Sequence, residues 1–288
     1  MKNMKKLLAL GLSLVMSVSL LAACSGGTQG GAADTPAPSG SAPVGTDTPA
    51  PGTDAPVELT TVEAGKLILS TNAEFPPYEM LDDNGEPIGI DMEVGAAIAE
   101  KLGLELEIMD MGFDAALLAV QNGQSDIAMA GITANEERRE VMDFTDSYAT
   151  GVQVVIVKEG SDVTLDNLGD YMIGTQMGTT GYIYASDTVE NGGYGEDHVI
   201  GYDTGAIAVQ ALVNGQIDAV IIDDKPAQSY VEANEGLTIL EGEWAVEDYA
   251  IGVQKGNTAL LEAVNNAMAE LKADGTFQSI VDKYINAD

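Results

Sequence analysis

A near-repeat of eight residues is the feature that most restricts the architecture of this chain. Asn122–Met129 reads NGQSDIAM and Asn214–Ile221 reads NGQIDAVI, 92 residues apart. In each copy an apolar helical segment ends at Asn-Gly, the chain turns, and an apolar strand begins at Asp. Solenoid repeats are shorter and more numerous, so the spacing predicts one copy in each of two related lobes. Asn-Gly-Gln is also a common turn, and a chance match is the alternative.

Short apolar strands alternate with amphipathic helices from Lys66 onward, which predicts an α/β fold with largely parallel sheets covered by helices. The predicted strands are 66–70, 104–109 and 126–130, and the predicted helices are 92–102, with Asp91 as N-cap and Gly103 as C-cap, and 114–122.

Charge and composition exclude several classes of function. The 288 residues include 12 Lys and Arg against 46 Asp and Glu, a net charge of -34, which excludes nucleic acid as a partner because such binding depends on cationic side chains. Cys24 is the single cysteine and His198 the single histidine, so a disulfide framework or a Cys- or His-rich metal site is not expected. We predict no metal and no cofactor.

The N-terminal segment has the pattern of a secretory signal. Lys2, Lys5 and Lys6 precede an apolar run that ends at Ala23, which is short for a membrane span. Leu-Ala-Ala before Cys24 resembles the lipobox of bacterial lipoproteins, which implies cleavage after residue 23 and lipid attachment to Cys24; a Cys that ends a transmembrane helix is the alternative. Residues 24–56 are rich in Pro, Gly and Thr and are predicted to form a disordered tether.

The ends of the repeated strands are natural positions for a ligand site, because ligands of open α/β sheets lie at the carboxyl ends of strands. These positions are Ala130, Gly131 and Thr133 after the first copy and Asp223 and Asp224 after the second. Thr133 with Glu136 also fits a capping box. Asp224-Lys225-Pro226 is typical of a solvated turn, and surface charge is the alternative for both aspartates.

The globular sequence resembles the amino-acid-binding solute-binding proteins of ABC importers. The motifs follow the family's order from about Leu67 to Ile285: Phe75-Pro76-Pro77-Tyr78-Glu79, Gly89-Ile90-Asp91-Met92-Glu93-Val94, Ala130-Gly131-Ile132-Thr133, Glu137-Arg138, Asp143-Phe144-Thr145-Asp146, Gly178-Thr179-Thr180 and Asp218-Ala219-Val220.

The resemblance implies the type II periplasmic-binding-protein fold, a two-lobe Venus flytrap that closes on ligand. Lobe 1 would comprise 57–150 plus 246–288 and lobe 2 would comprise 151–245. Two hinge strands, near 150–157 and 245–253, would join the lobes. The expected partners are a free polar or basic amino acid and an ABC permease, and the protein is expected to be a monomer held by its lipid outside the bacterial cell membrane.

Residue by residue, the resemblance places the ligand's α-carboxylate on Arg138 and on the segment that contains Thr179 and Thr180. A surface ion pair with Glu136 or Glu137 is the alternative for Arg138. The remaining candidates are Asp223, Ala130, Gly131 and Thr133 for the α-ammonium, Phe75 and Phe113 for the flanks of the side chain, and Asn72, Glu74 and Gln176 for its end.

Two other functions are alternatives. Some proteins of this fold are cyclohexadienyl-dehydratase-like enzymes, and Glu74 or Asp223 could nominally serve such an enzyme as a general acid. A sensory or surface lipoprotein is the second alternative. We predict a binding protein and not an enzyme.

Overall fold

The computed structural model describes residues 59–285. The predicted signal, Cys24 and the tether lie outside these residues. Within 59–285 no helix combines the length and apolar character that crossing a membrane requires.

Lobe 1 contains the strands β1 (Lys66–Thr71), β2 (Glu74–Phe75), β3 (Glu79–Leu81), β4 (Pro87–Ile88), β5 (Glu105–Asp110), β6 (Ile127–Ala128), β7 (Met142–Phe144) and β14 (Gly252–Gln254), and the helices α1 (Ile90–Leu102), α2 (Phe113–Gln121), α3 (Glu136–Val141), α7 (Thr258–Asp274) and α8 (Thr276–Ile285). The first sheet has the strand order β5-β1-β6-β14-β7 and forms the centre of this lobe. Strand β1 pairs in parallel with β5 and β6, whereas β14 is antiparallel to both of its neighbours. A separate small sheet has the order β2-β3-β4.

Lobe 2 contains the strands β8 (Ala149–Lys158), β9 (Ile173–Gln176), β10 (Val199–Tyr202), β11 (Ala219–Asp223), β12 (Leu237–Ile239) and β13 (Ala245–Tyr249), and the helices α4 (Thr180–Ser186), α5 (Gly205–Val213) and α6 (Asp224–Ala233). Short 3-10 helices cover Leu165–Asp170 and Val189–Asn191. The second sheet has the order β10-β9-β11-β8-β12, with β13 also paired to β8, and forms the centre of this lobe. Its β10, β9 and β11 are parallel, and β8 is antiparallel to all of its partners.

Both sheets are therefore mixed. Their parallel halves correspond to the alternation of strands and helices in the sequence, and their antiparallel halves contain the strands that connect the lobes. Strand β8 follows β7 of the first sheet, and β13, paired to β8 from Ala245↔Gln153 to Tyr249↔Ala149, leads back to β14. The two predicted hinge strands are present; the lobe boundaries at 150/151 and 245/246 fall within them and stay a prediction.

The near-repeat has the same local structure in both lobes. Asn122 and Asn214 are the C-caps of α2 and α5, and Gly123 and Gly215 follow with φ of 66° and 71°, where a side chain would be strained. Strand β6 follows in lobe 1 and strand β11 in lobe 2.

Three local predictions are wrong, and a buried or competing side chain explains the first two. Helix α1 starts at Ile90 after Gly89, whose φ of 131° favours glycine, and Asp91 is buried in the first turn. Helix α3 is capped by Asn135 and not by Thr133: Asn135 Oδ1 accepts the Arg138 N–H at 2.8 Å. Asp224 begins α6 where a solvated turn was predicted.

Candidate functional site

A cavity lies between the two sheets. Eleven of the twelve predicted ligand-contacting residues line it: Asn72, Phe75, Phe113, Ala130, Gly131, Thr133, Arg138, Gln176, Thr179, Thr180 and Asp223. Glu79, Gln153 and Glu247 complete the lining. Most of these residues lie at strand ends, helix starts or hinge strands, so the fold itself brings them together.

Arg138 is the guanidinium of the cavity and is only 6% exposed. Its Nη1 donates to the Thr133 carbonyl at 2.8 Å and its Nη2 donates to the Gly178 carbonyl at 3.1 Å. The guanidinium carbon lies 5.3 Å from the centre of the Phe113 ring, within cation–π range. Because Thr133 belongs to lobe 1 and Gly178 to lobe 2, Arg138 connects the lobes, and the surface ion pair with Glu136 or Glu137 does not describe it.

Asp223 is the opposing charge, at the carboxyl end of β11, and it is also 6% exposed. Its carboxylate accepts hydrogen bonds from Gln153 Nε2 at 2.7 Å and from the Tyr249 hydroxyl. Burial raises the pKa of Asp223 to about 7; the Tyr249 hydrogen bond opposes this rise and the nearby Glu247 adds to it. Asp223 is therefore a buried acid and not a surface charge.

A second group of acids lies next to the cavity in lobe 1. Burial, and then the charge of Asp91, raise the pKa of Glu79 well above its ordinary value. Burial also raises the pKa of Asp91 to about 6, although the Gly131 N–H and the Tyr148 hydroxyl donate to its carboxylate and lower that pKa. Asp91 thereby fixes the backbone of Gly131 on the cavity wall.

Aromatic and amide side chains form the rest of the wall. A Cβ on Gly131 would meet the Phe75 ring at 2.8 Å, so this glycine allows Phe75 to lie against the backbone. Gln176 Nε2 donates to Asn72 Oδ1 at 3.0 Å, which is a second polar contact between the lobes. Thr179 is the N-cap of α4, and the buried Thr180 follows it.

Glu74 is the one predicted site residue that the structure does not bring to the cavity. It is exposed in β2, next to Phe75, which does line the cavity. Successive side chains of a strand point to opposite faces, so these two residues cannot both face the same space. The Glu74 carbonyl accepts a hydrogen bond from the Tyr230 hydroxyl instead.

The sequence reasoning missed Glu79, Gln153 and Glu247. Glu79 belongs to the Phe75–Glu79 motif, which assigns it no ligand contact, and Gln153 and Glu247 lie in the hinge strands. No local sequence pattern marks Glu247: the structure buries Glu247 and Tyr249, two residues apart on one face of β13, and exposes the apolar Val246 on the other face. Only the pairing of β13 with β8 shows that this face is the cavity face.

Known proteins are similar to this chain over the region that forms both sheets and the cavity. Residues 67–287 match the model of the bacterial extracellular solute-binding proteins, family 3. The L-cystine-binding protein TcyJ of Escherichia coli K12 is 30% identical over 230 residues, covering 78% of this chain and 85% of that protein. The ABC transporter arginine-binding protein 1 of the same strain is 30% identical over 226 residues, covering 77% of this chain and 91% of that protein. A solved ancestral arginine-binding protein bound to arginine has 38% identity and a TM-score of 0.71, covering 77% of this chain and 98% of that one.

Proposed function

Because this chain belongs to the bacterial extracellular solute-binding proteins of family 3, we propose that it binds a free amino acid between its lobes and delivers it to an ABC permease. One observation carries the proposal: the buried guanidinium of Arg138 and the buried carboxylate of Asp223 line one cavity. A zwitterion carries the two complementary charges. The ligand's carboxylate and ammonium would each form hydrogen bonds with one of these buried groups, in place of the water that burial removes from it.

The proposed roles follow from this pairing. Arg138 with Thr179 and Thr180 holds the α-carboxylate. Asp223 holds the α-ammonium. The Ala130 and Gly131 carbonyls and the Thr133 hydroxyl assist Asp223, Phe75 and Phe113 flank the ligand's side chain, and Asn72 and Gln176 face its end.

The charge of the cavity favours a basic amino acid over a neutral one. Burial disfavours the charged form of Glu79, which leaves the carboxyl groups of Asp223 and Glu247 in the lining with the single guanidinium of Arg138. A ligand that carries an additional positive charge reduces this imbalance. The arginine-binding relative described above supports the same choice, although the cystine-binding relative keeps a neutral polar ligand as the second candidate.

Calorimetric titration of the purified protein with each of the twenty amino acids tests the proposal. We expect reversible binding, with the strongest signal from L-arginine or L-lysine, and recovery of the unmodified amino acid by mass spectrometry. Absence of binding by all twenty would overturn the proposal. Turnover of prephenate would instead support the dehydratase alternative, which none of the three similar proteins named above represents.

We further propose that the protein is a monomer held outside the cell membrane by a lipid on Cys24, with 24–56 as a tether. The signal-like segment and the residues before Cys24 support this placement. Metabolic labelling with a radioactive fatty acid should label the unaltered protein and should not label Cys24→Ala. An unaltered protein that takes up no label would contradict the lipid anchor.

A further inference from the structure

Glu247 is a buried carboxylate in a hinge strand with no cationic side chain bound to it. It lies at the centre of β13 and is 6% exposed, whereas its neighbour Asp248 is exposed. Among residues 59–285, no salt bridge includes Glu247. Arg138 of the same cavity attracts Glu247 electrostatically without forming an ion pair with it, so the hydrogen bonds around this buried carboxylate should explain why it is tolerated.

One oxygen of Glu247 joins the two lobes. Its Oε2 accepts from the Thr133 hydroxyl at 2.9 Å and from the Thr180 hydroxyl at 2.8 Å. Thr133 belongs to lobe 1 and Thr180 starts α4 in lobe 2, so a carboxylate on the hinge holds one hydroxyl from each side. Gln153 Nε2 adds a weaker third contact to the same oxygen at 3.3 Å.

The other oxygen is buried and has no hydrogen-bond partner. Glu247 Oε1 is fully enclosed, and Glu247 is part of the cavity lining. Buried carboxylate oxygens are normally satisfied, so an unpartnered one beside a cavity indicates a donor supplied from outside the chain.

The neighbouring groups indicate which donor fits. The Gln153 amide donates both to Asp223 and to Glu247, so the two carboxylates lie around one amide nitrogen. Two like charges this close repel each other, and a cation with several N–H bonds between them relieves the repulsion. An ammonium group has three donors and can satisfy both carboxylates together.

We propose that Glu247 is a ligand-binding residue that accepts a hydrogen bond from the ligand's α-ammonium, while its other oxygen holds Thr133 and Thr180 together across the cleft. This inference rests on the proposed function and adds a second anion to the ammonium site. The ligand's amino group is thereby coupled to lobe closure, because the carboxylate that contacts it also bridges the lobes.

The test compares Glu247→Gln with the matched control Asp248→Asn, which removes the same charge from the exposed neighbour in the strand. Calorimetry with L-arginine as the probe should show affinity reduced at least about tenfold for Glu247→Gln, the cost of a hydrogen bond to a charged group, and unchanged within about twofold for Asp248→Asn.

A second probe separates a ligand contact from a structural role. Argininic acid carries a hydroxyl in place of the α-ammonium, so the loss caused by Glu247→Gln should be much smaller with this probe than with L-arginine. Equal losses for both probes, or no loss for either, would overturn the inference.

The proposed function and this inference fail in different ways. If the unaltered protein binds none of the twenty amino acids, the proposed function is wrong. If the unaltered protein binds L-arginine and Glu247→Gln binds it equally well, only the role of Glu247 is wrong.

Discussion

Arg138 and Arg139 are adjacent in sequence but have different surroundings. Arg138 is buried between the lobes, with two guanidinium nitrogens on backbone carbonyls, whereas Arg139 is exposed and donates to the Ala134 carbonyl at 3.2 Å. Helical geometry separates the two side chains by about 100° around the axis, so only one of them can face the cavity. The pair therefore offers a matched control at neighbouring positions.

Arg138→Ala should weaken amino-acid binding by about 2 to 5 kcal/mol, because it leaves the ligand's carboxylate buried without its partner. Arg139→Ala should bind as the unaltered protein does. Calorimetry with L-arginine measures both affinities. Retained affinity in Arg138→Ala would exclude this residue as the carboxylate site.

The pKa of Asp223 predicts that affinity depends on pH. With a pKa of about 7 in the unliganded protein, Asp223 is protonated in acid and must lose that proton to pair with an ammonium. Affinity should reach its maximum above about pH 8 and should decrease by up to about tenfold for each pH unit below 7. Dissociation constants for L-arginine between pH 5 and 8 test this slope. An affinity that stays constant across this range would contradict the role of Asp223.

The same raised pKa has the opposite effect on the unliganded protein's stability. The folded state binds a proton on Asp223 that the unfolded state, with an Asp pKa near 3.8, has already lost. The contribution of Asp223 to the free energy of unfolding should therefore decrease as pH rises from about 4 to about 7. Urea titrations of Asp223→Asn and the unaltered protein should show a smaller decrease for the variant; identical pH dependence would contradict the raised pKa.

At the scale of elements, the hinge strands both connect the lobes and supply the site. The Tyr249 ring of β13 lies directly against Gly151 of β8, and its hydroxyl donates to Asp223. Tyr249 is almost completely buried, so it has little room to move away from a larger residue at position 151. Hinge packing and the proposed ammonium site are thus one structural unit.

Gly151→Ala should destabilise the protein by about 1 to 3 kcal/mol, the usual cost of overpacking, and should also weaken L-arginine binding by displacing Tyr249. Gly112→Ala is the control, since no atom lies within 4 Å of its Cβ position and its φ of -60° suits alanine. We expect the control to lose less than about 1 kcal/mol, the cost of a weaker N-cap. Urea denaturation and calorimetry measure both effects. Unchanged stability and binding in Gly151→Ala would contradict the proposed coupling.

Local sequence signals predicted the elements better than their exact ends. The Asn-Gly turns predicted how α2 and α5 end, because glycine after the C-cap is a local requirement. The predicted N-cap of α3 was wrong because the Thr133 hydroxyl donates instead to the Glu247 carboxylate, 114 residues away. Such a contact depends on the pairing of β13 with β8, which no local pattern near Thr133 contains.

At the scale of the whole molecule, polar contacts cross between the lobes at several points around the cavity. Arg138 reaches the Gly178 carbonyl, Gln176 reaches Asn72, and Glu247 holds Thr133 and Thr180. A ligand that pairs with both Arg138 and Asp223 adds to these contacts only when the lobes are together. Its differential affinity for the closed arrangement is the driving force for closure.

Ligand should consequently stabilise the complete protein. At a free L-arginine concentration 100 times the dissociation constant, the expected gain is about 2.7 kcal/mol, which corresponds to a rise of roughly 5 to 10 °C in Tm. Differential scanning calorimetry should show this rise for Arg139→Ala and lose it for Arg138→Ala. An equal rise in both variants would place the ligand elsewhere.

The family resemblance predicted the two lobes and eleven of the cavity residues. Seven of these residues lie in motifs that keep their order along the chain, and the other four, Asn72, Phe113, Gln176 and Asp223, lie at positions between those motifs. Glu74 does not line the cavity, because neighbouring side chains of a strand point to opposite faces. The sequence alone did not show whether Glu74 or Phe75 faces the cavity. The packing of the two lobes and the hinge strands brings Glu79, Gln153 and Glu247 into the cavity lining, and no single stretch of the sequence contains that packing.

A crystal structure of the protein, from crystals grown in the presence of L-arginine, tests the central claim most directly. The account predicts the ligand's α-carboxylate on the Arg138 guanidinium and its α-ammonium on the Asp223 carboxylate, each within hydrogen-bonding distance. A ligand bound outside this cavity, or bound in it with both charged groups away from these two side chains, would contradict the account.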